Sequence, residues 1–88
     1  MKADKAQINR LLKTARGQLD GILKMVEEDR YCIDISNQLM ATQAILKRAN
    51  KEVIGAHMKH CVHDALKDEA TAEKKLEEII RIIDQLMK

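Results

Sequence analysis

The chain has 88 residues, a net charge of +2, no proline, three glycines, a single aromatic residue (Tyr31) and two cysteines, with 34% of residues charged and 45% hydrophobic. So short a chain makes one domain at most, spanning 1–88, and buries only a thin core alone, so partner chains are expected. The abundance of Ala, Leu, Ile, Met, Lys, Glu and Gln predicts an all-α protein held by aliphatic packing, in which strands would be a surprise, while the longest near-apolar run, "IIRII" at 79 to 83, is too short to span a bilayer.

The first predicted helix covers about 4–28. Ile8, Leu11, Leu12, Ala15, Leu19, Ile22, Leu23 and Val26 recur at steps of three and four, which gives one amphipathic helix with a basic opposite face. Gly17 and Gly21 lie inside it, each costing about 1 kcal/mol relative to Ala, and are expected to admit a close approach by another helix or backbone. The acidic "EEDR" before Tyr31 reads as a short connection.

A second helix is predicted over 32–66, roughly 50 Å at 1.5 Å per residue, which is longer than a small globule holds and so calls for a partner along its length. The polar "KDEAT" at 67 to 71 ends it. Leu76, Ile79, Ile80, Ile83 and Leu86 then predict a shorter third helix over 71–87.

Charge alternates along the chain. Residues 1–24 carry +4, 25–46 carry −3, 47–60 carry +3 and 61–88 carry −2. The two basic segments, one with Arg10, Lys13 and Arg16 and the other running from Lys47 through Arg48 to Lys51, form a candidate phosphate-binding field; a solvated helix face is the plainer alternative. No recognition-helix motif accompanies them.

The second helix also collects the soft donors. Its stripe reads Cys32, Ile35, Leu39, Thr42, Leu46, Ala49, Val53, His57 and Cys61, with ligand types at the ends. At about 100° per residue, His57 lies roughly 20° to one side of Cys32 and Cys61 roughly 20° to the other, yet Cys32 and Cys61 are separated by roughly 44 Å of helix. One unbroken helix cannot unite them. Two second helices packed antiparallel about a twofold axis near Ile45 and Leu46 can, and would build two identical sites from Cys32 of one protomer with His57 and Cys61 of the other. Two thiolates and an imidazole suit three-coordinate Cu(I); Zn(II) would take a fourth ligand, with His60 or Asp64 nearest. A cysteine on an apolar face is commonly just a small buried hydrophobe, and His-x-x-x-Cys alone is a weak signal. His60 and His63 turn away from this face and are expected in solvent.

Three stretches together, "ARGQLDGILKMVEEDRYCIDI" at 15 to 35, "QLMATQAILKRANKEV" at 38 to 53 and "HMKHCV" at 57 to 62, resemble the copper-sensitive operon repressor family, which includes nickel-, formaldehyde- and persulfide-responsive relatives. The resemblance implies a three-helix protomer in an antiparallel four-helix-bundle dimer, usually paired again into a dimer of dimers. It implies Cu(I) ligation by Cys32 of one protomer and His57 and Cys61 of another, with Tyr31 and Glu77 hydrogen-bonding the distal nitrogen of the ligand histidine. For DNA it implies Arg48 and the basic first helix, where the family pattern sets an arginine at the position of Leu11 and this chain offers Arg10 next to it. His57, with Tyr31 and Glu77, points to the copper branch.

The expected function is therefore a cytoplasmic, non-enzymatic repressor that binds operator DNA when metal-free and dissociates on Cu(I) binding. A persulfide or thiol-redox sensor using a Cys32 to Cys61 inter-protomer crosslink is the alternative, followed by a cytosolic copper buffer. No glycine-rich turn or oxyanion-hole signature supports hydrolase chemistry at the Cys and His residues.

Overall fold

The computed structural model describes residues 1–65 and 69–87. Its helices are α1 (Lys5–Glu27), α2 (Cys32–Ala65) and α3 (Glu69–Met87), and among the described residues there is no strand. The expected end of the second helix at 66 lies outside the described residues, as do the first two residues of the "KDEAT" connection. The third helix starts at Glu69, two residues before the expected 71; glutamate and alanine have high helix propensity, so the helical run extends back through them. No helix is long and apolar enough to cross a membrane.

Both ends of α1 are built from side-chain and backbone chemistry visible in the sequence. Asp4 is the N-cap, its Oδ1 accepting from the amides of Ala6 (3.0 Å) and Gln7 (3.4 Å), which satisfies donors that the first turn leaves free. At the other end Arg30 donates to the carbonyl of Met25 (3.0 Å) and Asp29 to that of Val26 (3.1 Å). This paired closure needs a left-handed residue at its centre. Asp29 fills the role with φ of 52°, a conformation that glycine adopts more cheaply.

The chain divides into two compact units, Asp4–Glu52 and Val53–Lys88 with Met1–Ala3. In the first, the single apolar face read for α1 separates into two lines. Ile8, Leu11, Ala15 and Ile22 are buried, whereas Leu12, Leu19, Leu23 and Val26 remain exposed. The stripe of α2 divides the same way: Thr42 and Ala49 are buried and Ile35 half-buried, while Leu39 and Leu46, on the same outward line as Cys32 at seven-residue spacing, are exposed. The Thr42 hydroxyl donates to Gln18 Oε1 at 2.8 Å and ties α1 to α2. Nothing lies within 4 Å of a Cβ built on Gly17 or Gly21, so the close approach expected there does not occur within a protomer.

In the second unit α3 has two candidate faces, because "EEIIRII" is made of doublets. Ala72, Lys75, Glu78, Ile79 and Ile82 are half-buried, and Leu76, Ile80, Ile83 and Leu86 are exposed. This choice of face decides which glutamate meets α2.

Candidate metal centre

The last third of α2 and the middle of α3 converge on three side chains. His57 and Cys61 stand one turn apart, as an (i, i+4) pair must, with Cys61 Sγ 3.4 Å from His57 Nε2. From α3, Glu78 places Oε1 2.7 Å from His57 Nε2, and Cys61 Sγ lies 3.8 Å from Glu78 Oε2. The three donor atoms lie within 4.8 Å of one another. Cys61 is fully buried, at 0% exposure, whereas the His57 and Glu78 side chains are 40% and 35% exposed. A thiol is thus sealed beneath a half-open polar pair.

Electrostatics set the proton arrangement. The hydrogen bond from His57, aided by the nearby Lys75 ammonium at 3.8 Å from Oε2, holds the Glu78 carboxyl below its usual range against the opposing effect of burial. An ionised carboxylate can only accept. The Nε2 of His57 therefore carries the proton and donates it to Glu78 Oε1, which fixes the tautomer and the ring orientation.

The other sequence-predicted residues are not members of this cluster. Glu77, one position before Glu78, is exposed. Tyr31 is 68% exposed and Cys32 is an exposed free thiol at the first position of α2. His60 lies with Asp64, Nε2 to Oδ2 at 3.2 Å, and His63 is exposed. The residue that sequence reasoning missed is Glu78. The signal for it was the doublet "EE" at 77 and 78, ambiguous until packing selects Ile79 and Ile82 as the covered isoleucines.

The five basic residues singled out for phosphate binding, Arg10, Lys13, Arg16, Arg48 and Lys51, lie in the first unit on exposed helix surface. Arg10, Lys13 and Arg16 project from α1, where Ala6, Asn9, Arg10, Lys13 and Thr14 line a shallow groove. Arg10 donates to Gln7 Oε1. On α2, Lys51 is exposed and Arg48 pairs with Glu52 at 3.7 Å.

An all-helical chain that gathers a buried thiol, an imidazole and a carboxylate at one end of a long helix, and displays a basic first helix, has the features of a helical metal-responsive regulator. The metal-sensitive transcriptional repressor family matches residues 4–85, and the chain belongs to that family. Its members are regulators, and the chain is not an enzyme. The copper-sensing transcriptional repressor CsoR of Mycobacterium ulcerans (strain Agy99) is 48% identical over 64 residues, covering 73% of this chain and 54% of its own length. CsoR of Mycobacterium tuberculosis (strain ATCC 25618 / H37Rv) is 42% identical over 76 residues, covering 86% and 62%. This chain thus spans less than two thirds of those mycobacterial relatives. CsoR of Bacillus subtilis (strain 168) is 39% identical over 85 residues, covering 97% and 83%. Among solved structures, the copper-sensing repressor CsoR with Cu(I) from Geobacillus thermodenitrificans NG80-2 superposes with a TM-score of 0.83 at 37% identity, over 100% of this chain and 94% of that one. The nickel-responsive transcriptional regulator InrS shares the fold, with a TM-score of 0.84 at 23% identity over 98% and 96% of the two chains.

Proposed function

We propose that this protein is a copper(I)-responsive repressor that binds operator DNA when metal-free and releases it on binding Cu(I), so that copper-resistance or efflux genes are transcribed. The observation that carries the reading is the 3.4 Å approach of the buried Cys61 thiol to His57 Nε2. Relatives named as copper-sensing repressors, one of them solved with Cu(I), support the choice of metal.

The residues that would hold the metal are His57 and Cys61 of one protomer and Cys32 of another. Cys32 heads the outward line of α2 with Leu39 and Leu46, and Cys61 follows it on the same helix many turns later. An antiparallel partner is the natural source. The donor set fits: two thiols and an imidazole form a soft three-donor set, and Cu(I) would supply there a junction between protomers. Exposed Leu12, Leu19, Leu23 and Val26 add apolar surface suited to the same homo-oligomer, a dimer or a dimer of dimers. Residues 1–88 act as one repressor domain, in the cytoplasm.

The chain's own residues carry the signal. In the metal-free protein Glu78 holds His57 Nε2 and so fastens α2 to α3. Tyr31, adjacent to Cys32, arrives with the partner helix, and Glu77 is the carboxylate that the family pattern assigns to the ligand histidine. Adjacent residues of a helix point about 100° apart. Exchanging Glu78 for Glu77 at His57 therefore turns α3 on its axis, and that turn conveys occupancy away from the site. Arg10, Lys13, Arg16, Arg48 and Lys51 bind phosphates, which makes operator affinity steeply salt-dependent. The metal-free and copper-bound forms then differ in DNA affinity by about 1 to 3 kcal/mol, and DNA weakens copper binding by the same amount.

The test is an anaerobic Cu(I) titration of the repressor on fluorescent operator DNA, followed by anisotropy. Release should track copper occupancy, and DNA that stays bound at full occupancy would overturn the proposal. A di- or trisulfide between Cys32 and Cys61 of two protomers after sulfide stress, without a copper response, would assign persulfide sensing instead.

A further inference from the structure

We infer that Gln18 and Thr42 are positioning residues: their hydrogen bond sets the register of α1 on α2, and so holds Arg10, Lys13 and Arg16 of one helix and Arg48 and Lys51 of the other in a single arrangement toward the phosphates of DNA. The role in DNA binding rests on the function proposed above; the register does not.

These residues all belong to the compact unit Asp4–Glu52. There α1 buries Ile8, Leu11, Ala15 and Ile22, while on α2 Ala49 is buried and Ile35 and Ile45 are half-buried. Aliphatic burial is non-directional, and cores built from it lose uniqueness before they lose stability. Because the apolar residues of α1 recur at steps of three and four, a slide of one turn, about 5.4 Å, returns apolar side chains to apolar surroundings. The same slide displaces the basic residues of α1 against those of α2 by more than the reach of a charge-assisted hydrogen bond, about 2.8 Å.

Thr42 and Gln18 remove that degeneracy. Thr42 is 3% exposed, and its hydroxyl donates to Oε1 of the half-buried Gln18 at 2.8 Å. Among the described residues no other side-chain hydrogen bond or ion pair joins α1 to α2. Burial alone does not require the bond. The carbonyl of Gln38, one turn back on the same helix, lies 3.2 Å from the hydroxyl and can accept its one proton without help from α1. The reach to Gln18 therefore adds direction, because it is available at one register only. A single polar contact in an otherwise apolar seam is an effective way to hold helices to one alignment.

The experiment uses the full chain with methyl-labelled Ile, Leu and Ala, together with operator DNA. Thr42→Val keeps the shape and removes the donor; Gln18→Met keeps the length and removes the acceptor. In each, the methyl resonances of Ile8, Leu11, Ala15 and Ile22 should broaden or double, and the slope of log K for operator DNA against log salt should flatten by at least about 1.8, the equivalent of two phosphate contacts. Thr42→Ser keeps the hydroxyl and should retain single resonances and the parent slope, even though loss of a buried methyl lowers its melting temperature. That separates alignment from stability. The double variant should be no worse than either single one, since one bond is lost in all three. Single, sharp methyl resonances in both Thr42→Val and Gln18→Met overturn the inference. Arg48→Ala is titrated alongside. Where it flattens the parent's slope, an unchanged slope in both variants also overturns the inference; where it does not, the phosphate reading has failed and the methyl spectra alone decide the register.

Discussion

His57 Nε2 and Glu78 Oε1 meet at 2.7 Å across the facing surfaces of α2 and α3. The bond makes the carboxyl of Glu78 a stronger acid than usual, which gives the metal-free protein a signature in acid. A carboxyl whose folded-state pKa is depressed contributes stability above its unfolded value and loses it as pH falls through the folded one. The window therefore opens near the ordinary 4.5 and extends below it. Urea midpoints measured between neutral pH and pH 3 should fall more steeply for the parent than for Glu78→Gln. Parallel curves for the two proteins would show that the pair contributes nothing.

The folding of α1 offers a second prediction. Asp29 sits at φ of 52° in the closure that ends the helix. Asp29→Gly removes a left-handed strain of about 1 kcal/mol and gives back part of it through a freer unfolded chain, so the melting temperature should rise slightly. Asp4→Ala, which deletes the acceptor for Ala6 and Gln7, should cost about 1 kcal/mol. A fall in stability for Asp29→Gly would mean that its side chain does more than tolerate the turn.

The residues explain which features could be read from sequence and which could not. Helix existence was legible because runs such as Ile8, Leu11 and Ala15 keep one period, and the union of His57 with Cys61 followed from a spacing of four. The division of each apolar stripe into covered and exposed lines was not legible, since Leu11 and Leu12, or Leu46 and Ala49, are equally apolar in sequence and only packing separates them. The same ambiguity hid Glu78. Within "EEIIRII" either phase buries two isoleucines, and half-burial of Ile79 and Ile82 turns Glu78, not Glu77, toward His57.

Affinity for the proposed operator DNA should be tunable through one ion pair on the surface of α2. Arg48 is held 3.7 Å from Glu52 one turn away, a contact that partly neutralises a cation proposed to reach phosphate. Exposed pairs of this kind are worth well under about 1 kcal/mol to stability, so Glu52→Gln should leave folding intact and tighten operator binding. Arg48→Ala should weaken binding to specific and non-specific DNA alike and reduce the slope of log K against log salt by about 0.9. An unchanged slope would remove Arg48 from the phosphate contacts.

Holding copper and reporting it should separate by mutation. In the proposed mechanism the Cys32 and Cys61 thiolates provide most of the affinity for a soft ion, while His57 connects the site to α3 through a carboxylate. His57→Ala should therefore still bind Cu(I) but release operator DNA incompletely. Glu77→Ala should behave likewise, because the carboxylate expected to receive His57 in the copper-bound form is gone, yet its acid unfolding should match the parent's. Glu78→Ala should differ from both: it frees His57 from its metal-free partner, so release should begin at lower Cu(I). Anaerobic titrations of the three variants on the same operator, with copper occupancy read in parallel, decide the matter. Complete release by both His57→Ala and Glu77→Ala would show that the signal reaches the DNA-binding surface without passing through α3.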